Sequence, residues 1–161
     1  MAPTPPDLFA RIYIKHGHRC PMSTLGGRLG LAARRRGGAG ELRLCYQIST
    51  CAVDGILLGC GEPLANGVVR LVERGRHALQ LQGGGGAHVE LSLSAAALDL
   101  AGRYRLADLE LERRRVELTA DELQKAIVAK GALLDELLPQ LWSLPEEQLI
   151  DAVALTPEEL L

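Results

Sequence analysis

The chain is expected to adopt an α+β fold, an antiparallel sheet packed with helices in a single core domain over residues 1–161. Three observations predict this. Leu42, Leu44, Tyr46 and Ile48 alternate with Arg43, Cys45, Gln47 and Ser49, the period-two pattern of a half-buried strand. Helical spacing of apolar residues flanks the strand region on both sides, and the carboxyl-terminal part from about 119 to 161 reads as helical. No β-α-β alternation is visible, so a doubly wound sheet is not expected.

From the amino terminus, Pro3, Pro5 and Pro6 make an irregular lead, and Asp7 is placed to cap a helix carrying Leu8, Ile12 and Ile14. That helix runs straight into His16. A second helix is predicted from Ser23, with Leu25, Leu29, Ala32 and Ala33 on its apolar face and Gly37, Gly38 and Gly40 ending it. Gly26, Gly27 and Gly30 imply close packing, expected against the sheet. A phosphate loop is not expected, since no strand precedes them and no Lys-Ser/Thr follows. After the strand at 42–48, the segment from Cys51 to Gly59 reads as a short apolar helix with Cys51 in its first turn. Strands are expected at Val68 to Val72, Ala78 to Leu81 and Val89 to Leu93, as an antiparallel meander. Thr119-x-x-Glu122 forms a capping box, an apolar stripe leads to Pro139, and Pro145 and Pro157 fit first helical turns.

The formal charge of -2 and an aromatic content of 3% argue against nucleic acid, which needs a positive field and stacking platforms. Arg34 to Arg36 and Arg113 to Arg115 read as helix-end or solvated charges. No apolar run approaches a membrane span and the amino terminus lacks a secretory leader, so a cytoplasmic setting without membrane attachment is expected. There the four cysteines stay reduced, and metal ligation or thiol chemistry explains them better than disulfides do.

In His16-Gly17-His18-Arg19-Cys20-Pro21, three ligand-type side chains fall within five residues around a bend. Imidazole and thiolate together suit zinc or another borderline or soft divalent transition metal. Cys51, at a helix start where the dipole favours the thiolate, is the best candidate ligand or nucleophile. Asp54, one turn on, either orients a histidine or satisfies the helix amino terminus. Cys60, nine residues from Cys51, reaches the same metal only if the helix breaks at Gly59. Cys45, His77 and His88 read as ordinary strand residues. With no Cys-x-x-Cys, a closed structural site is not signalled, and an open coordination position is expected.

These residues, together with Cys51-Ala-Val-Asp54-Gly-Ile56, Gly59-Cys60, Asn66 and Gly75-Arg-His-Ala78, resemble the FmdE family, named for formylmethanofuran dehydrogenase, over about residues 8 to 82. Ser143-Leu-Pro-Glu-Glu and Thr156-Pro-Glu-Glu-Leu-Leu resemble its helical end. The resemblance implies an α+β core that dimerises, here without the zinc finger that often follows it. It implies a cleft holding His16, His18, Cys20, Cys51 and Cys60, and association with a molybdenum or tungsten oxidoreductase of one-carbon metabolism. Three functions are open on this reading: a metal-binding accessory of a partner oxidoreductase, a metal- or thiol-dependent enzyme with Cys51 or Cys20 as the reactive sulfur, and a structural homodimer module.

Overall fold

In the computed structural model, which describes residues 2–161, helix α1 runs Asp7–His16 with Pro6, not Asp7, at its N-cap. Asp7 instead sits in the first turn, where its charge complements the helix dipole. The buried stripe is Phe9, Ile12 and Tyr13, whereas Ile14 is exposed. Helix α2 (Pro21–Gly37) begins two residues before Ser23, because the fixed φ of Pro21 already suits a first helical position. Strand β1 (Leu42–Tyr46) follows, then helix α3 (Ala52–Cys60) and strand β2 (Leu64–Leu71).

The glycines of α2 meet helix α3, not the sheet. A Cβ on Gly26 would lie 2.0 Å from the Ala52 carbonyl oxygen, and one on Gly55 would lie 2.0 Å from that of Ser23. The two backbones are in direct contact, an approach that only residues without side chains permit.

Strands β3 (Ala78–Gln82), β4 (His88–Leu93) and β5 (Ile150–Ala154) complete a five-stranded sheet of order β2-β1-β3-β4-β5. The α+β class holds, but the meander does not extend to β2. β1, α3 and β2 form a β-α-β unit whose two strands pair parallel, and β1 separates β2 from β3. The short helix is legible in the sequence and the crossover is not, because β2 starts at Leu64, ahead of the expected Val68. Its register against β1 slips where Asn66 and Gly67 both adopt positive φ. One sheet face, with Leu44, Tyr46, Leu79, Leu81 and Leu91, joins the helices in the main core. The other carries Gln47, Gln80 and Glu90, hydrogen-bonded together, and the backbone N–H of Leu161 donates to Gln80 there.

Two long helices lie outside this unit. Helix α4 (Ala95–Arg114), capped by the Ser94 hydroxyl, has no clear sequence signature, its apolar positions being diluted by exposed Arg and Glu. Helix α5 (Ala120–Ser143) opens with the expected Thr119–Glu122 capping box but continues through Pro139. Leu137, Leu138 and Leu141 are fully buried on either side of that proline and hold the helix across the missing hydrogen bond. Arg28 of α2 donates to the carbonyls of Leu141, Trp142 and Leu144 at 2.9, 3.1 and 2.6 Å, satisfying the end of α5. After the short helix α6 (Glu146–Leu149) the chain adds edge strand β5 where helix was expected. Leu91 and Leu93 recruit it by pairing with Ala152 and Ile150.

Gly131, within α5, has nothing within 4 Å of a Cβ built on it. Gly131→Ala is therefore expected to raise unfolding stability by about 0.5–1 kcal/mol through helix propensity, as read by urea denaturation. Among the described residues no helix is long and apolar enough to cross a membrane.

Candidate metal centre

The candidate site is assembled by two helix junctions. Helix α1 ends at His16, and Gly17, at φ +96°, turns the chain with its N–H on the Tyr13 carbonyl at 2.9 Å. The turn brings His18 against His16, ring centroids 4.4 Å apart, and delivers Cys20 as the extended N-cap of α2. The Cys20 carbonyl accepts from the hydroxyls of Ser23 and Thr24 at 3.1 and 2.8 Å, so backbone and not thiol anchors this corner. Cys51 is the N-cap residue of α3, again without side-chain capping. Since the first turns of α2 and α3 are in backbone contact, the two thiols are held side by side.

A ring nitrogen of His16 and the sulfurs of Cys20 and Cys51 all lie within 4.8 Å of one another. His16 Nδ1 lies 3.0 Å from Asp54 Oδ2, the geometry of a carboxylate that orients a histidine. His16 Nε2 is buried and has no hydrogen-bond partner. A buried imidazole nitrogen left without a partner is costly unless something else satisfies it. A divalent cation held by His16, Cys20 and Cys51 would do so. The carboxylate on the opposite ring nitrogen is the usual second partner of a metal-bound histidine. The residues present therefore fit a borderline or soft divalent metal.

The expectation of an acidified thiol at Cys51 is not met. Burial, and then the neighbouring Cys20, push the Cys51 thiol above its ordinary range, outweighing the helix amino terminus. In metal-free protein, Cys51 is accordingly expected to alkylate slowly with iodoacetamide at pH 7, more slowly than free cysteine, and to accelerate only on the alkaline side of the ordinary thiol pKa. Rapid alkylation at pH 7 would contradict this.

Cys60 is not brought to this corner. It ends α3, about 13 Å along the helix axis from Cys51 by helical rise, and is 3% exposed in the core. α3 does not break at Gly59, and the carbonyl of Cys60 is held by Arg34 at 2.9 Å. His18 is outside the three-ligand group but beside it. Cys45 lies buried on the far sheet face, outside the three-ligand group.

A cavity of about 580 Å³ adjoins the centre, with His18, Cys20 and Cys51 in its wall. Sequence reasoning missed the rest of that wall. His77, expected to be an ordinary strand residue, precedes β3 and lines the cavity, and its Nδ1 is buried without a partner. Burial also lowers the His77 pKa, keeping the ring neutral at pH 7. The only sequence signal for it is its place in Gly75-Arg-His-Ala78. Tyr104, Arg105 and Asp108 come from α4 and have none.

Comparison with known proteins bears on descent. No curated protein matches the chain. Among solved structures, a tungsten formylmethanofuran dehydrogenase FmdE-like protein from Syntrophus aciditrophicus is similar at 20% identity and a TM-score of 0.49, over 92% of this chain and 71% of that one. The family model described as FmdE, molybdenum formylmethanofuran dehydrogenase operon, matches residues 15–159, a stretch that begins one residue before His16 and contains Cys20, Cys51 and Asp54. The chain belongs to the FmdE family.

Proposed function

We propose that this chain is a metal-binding accessory of a partner oxidoreductase of the molybdenum or tungsten type, holding one divalent transition metal, zinc, on His16, Cys20 and Cys51. The observation that carries the metal is the buried, partnerless Nε2 of His16 beside two thiols, with Asp54 on the opposite nitrogen. The partner is supported by the family's description as belonging to a molybdenum formylmethanofuran dehydrogenase operon. His16, Cys20 and Cys51 would hold the metal, which when bound would supply Lewis acidity beside the cavity. Asp54 orients the His16 ring, and the α2 and α3 junctions hold both sulfurs beside it. The four cysteines are unpaired, which agrees with work in the reducing cytoplasm. The reading retains the homodimer implied by the resemblance, tested by sedimentation equilibrium.

Plasma mass spectrometry of anaerobically purified protein tests the centre: one equivalent of metal per chain is expected. Metal far below stoichiometry after reconstitution would sink it. Asp54→Asn is expected to weaken metal binding about 10–100-fold with folding retained, since the amide keeps the shape and loses the charge. An affinity unchanged in that variant would remove Asp54 from the site. Co-purification with the partner dehydrogenase tests the accessory role.

The adjoining cavity favours a second reading, a metal-dependent enzyme acting on a small molecule, with Cys20 and Cys51 as ligands. The raised Cys51 pKa weighs against a metal-free thiol nucleophile.

A further inference from the structure

The cavity beside the centre has a distinct chemical polarity of its own. Its volume, about 580 Å³, lies within the roughly 300–1,000 Å³ range of small-molecule sites. Met22, Leu98 and Ala101 contribute apolar wall, and the half-buried ring of His77 borders the same space. The charges on α4 and α5 do not cancel there. Asp108 is taken up by Lys130 at 2.7 Å, while Arg105 stands 4.0 Å from the same carboxylate, beyond hydrogen-bond reach. Two cations share one anion, so one positive charge is left over at the rim, on a guanidinium whose fork suits a carboxylate or phosphate. Cys20 and Cys51 border the same space.

We propose that this cavity binds a small organic anion, its apolar body against Met22, Leu98 and Ala101 and its charged end on Arg105. The inference rests on the reading of the adjoining His16, Cys20 and Cys51 corner as the functional centre. Arg105 thereby selects ligands by charge. The side chain of Arg105 is 69% exposed, so its contribution is modest and sensitive to salt.

The test is a nuclear magnetic resonance titration of the full chain, ¹⁵N-labelled, with hexanoate, hexyl phosphate and hexanol, metal content being measured on the same samples. Hexanoate or hexyl phosphate should shift amides along Leu98 to Asp108 and near His77 and saturate, with hexanol binding at least about fivefold more weakly. The stronger of the two anions identifies whether the site takes carboxylates or phosphate esters. Arg105→Ala should weaken the preferred anion about fivefold, leave hexanol and the melting temperature unchanged, and be partly offset in Arg105→Lys. In about 0.5 M NaCl the advantage of the anion over hexanol should shrink. Equal binding of anion and alcohol, an Arg105→Ala variant that binds the anion as well as wild type, or shifts located elsewhere would overturn the proposal. Stoichiometric metal without an anion response defeats this inference and leaves the metal centre standing. An anion response without metal defeats the metal centre alone.

Discussion

Cys20→Ser protein is expected to remain folded and to bind its metal at least about 100-fold more weakly than wild type. A complete thiolate–imidazole site in a small zinc domain is worth roughly 10–16 kcal/mol of apparent binding free energy. Spread over three protein ligands, the loss of one removes several kcal/mol, because a serine hydroxyl is a far poorer donor than thiolate to a borderline metal. The fold tolerates the change for a structural reason. At the N-cap of α2 the hydrogen-bonding work is done by the Cys20 carbonyl, and serine preserves the backbone and is itself a favoured N-cap residue. Cobalt(II) titration reads this directly: thiolate-to-cobalt absorption should appear at one equivalent in wild type and be lost at micromolar protein in both Cys20→Ser and Cys51→Ser. The Cys20→Ser/Cys51→Ser double variant should be little worse than either single one, since both act on one site. Cys60→Ser is the informative control. It should keep full metal binding and lose stability, because it puts a hydroxyl into the core where Cys60 is 3% exposed. Metal retained in Cys20→Ser and lost in Cys60→Ser would reverse the assignment of ligands.

Residue types and spacing are enough to read the centre at its two termini. His16-Gly-His18-Arg-Cys20-Pro21 announces a bend, and Cys51 announces a helix start, because turn chemistry and capping are local. For Asp54 the sequence leaves two roles open, a partner for a histidine or for the helix amino terminus, and the structure sets its carboxylate 3.0 Å from His16. Cys60 is misplaced by the opposite logic, a sequence neighbour that the continuous helix α3 carries away from the site. The cavity is beyond local reading altogether. Much of its wall comes from α4, and only the tertiary docking of α4 brings Tyr104 and Arg105 to the same cavity as Cys51. Likewise β5 and the parallel β1–β2 pair depend on which strand each edge meets, a non-local fact that neither propensity nor period records.

The glycine contact between α2 and α3 should prove as important to the metal as the ligands themselves. Gly26→Ala places a methyl carbon 2.0 Å from the Ala52 carbonyl oxygen and 2.8 Å from its Cα, and Gly55→Ala does the same against Ser23 at 2.0 Å. Neither neighbour is a side chain able to rotate away, so the helices must part. Restoring an ordinary carbon–oxygen contact requires roughly 1 Å or more of separation, which strips packing from a fully buried interface. Over-packing typically costs about 1–3 kcal/mol, and with backbone on both sides each variant is expected at the upper end, about 3 kcal/mol or more. That is a large part of the roughly 5–15 kcal/mol of a domain's stability. The same displacement moves Cys51 relative to Cys20, the N-cap residues of these two helices. A metal site tolerates errors of about 0.5 Å, so affinity should fall together with stability. Urea unfolding of the apo proteins and cobalt(II) titration of the folded ones measure the two effects separately, with Gly131→Ala as the glycine whose replacement is harmless. A Gly26→Ala protein as stable as wild type would contradict the close contact. A destabilised one that still binds cobalt with wild-type affinity would mean that the loop from Gly17 to Cys20, and not the helix pair, sets the distance between the two sulfurs.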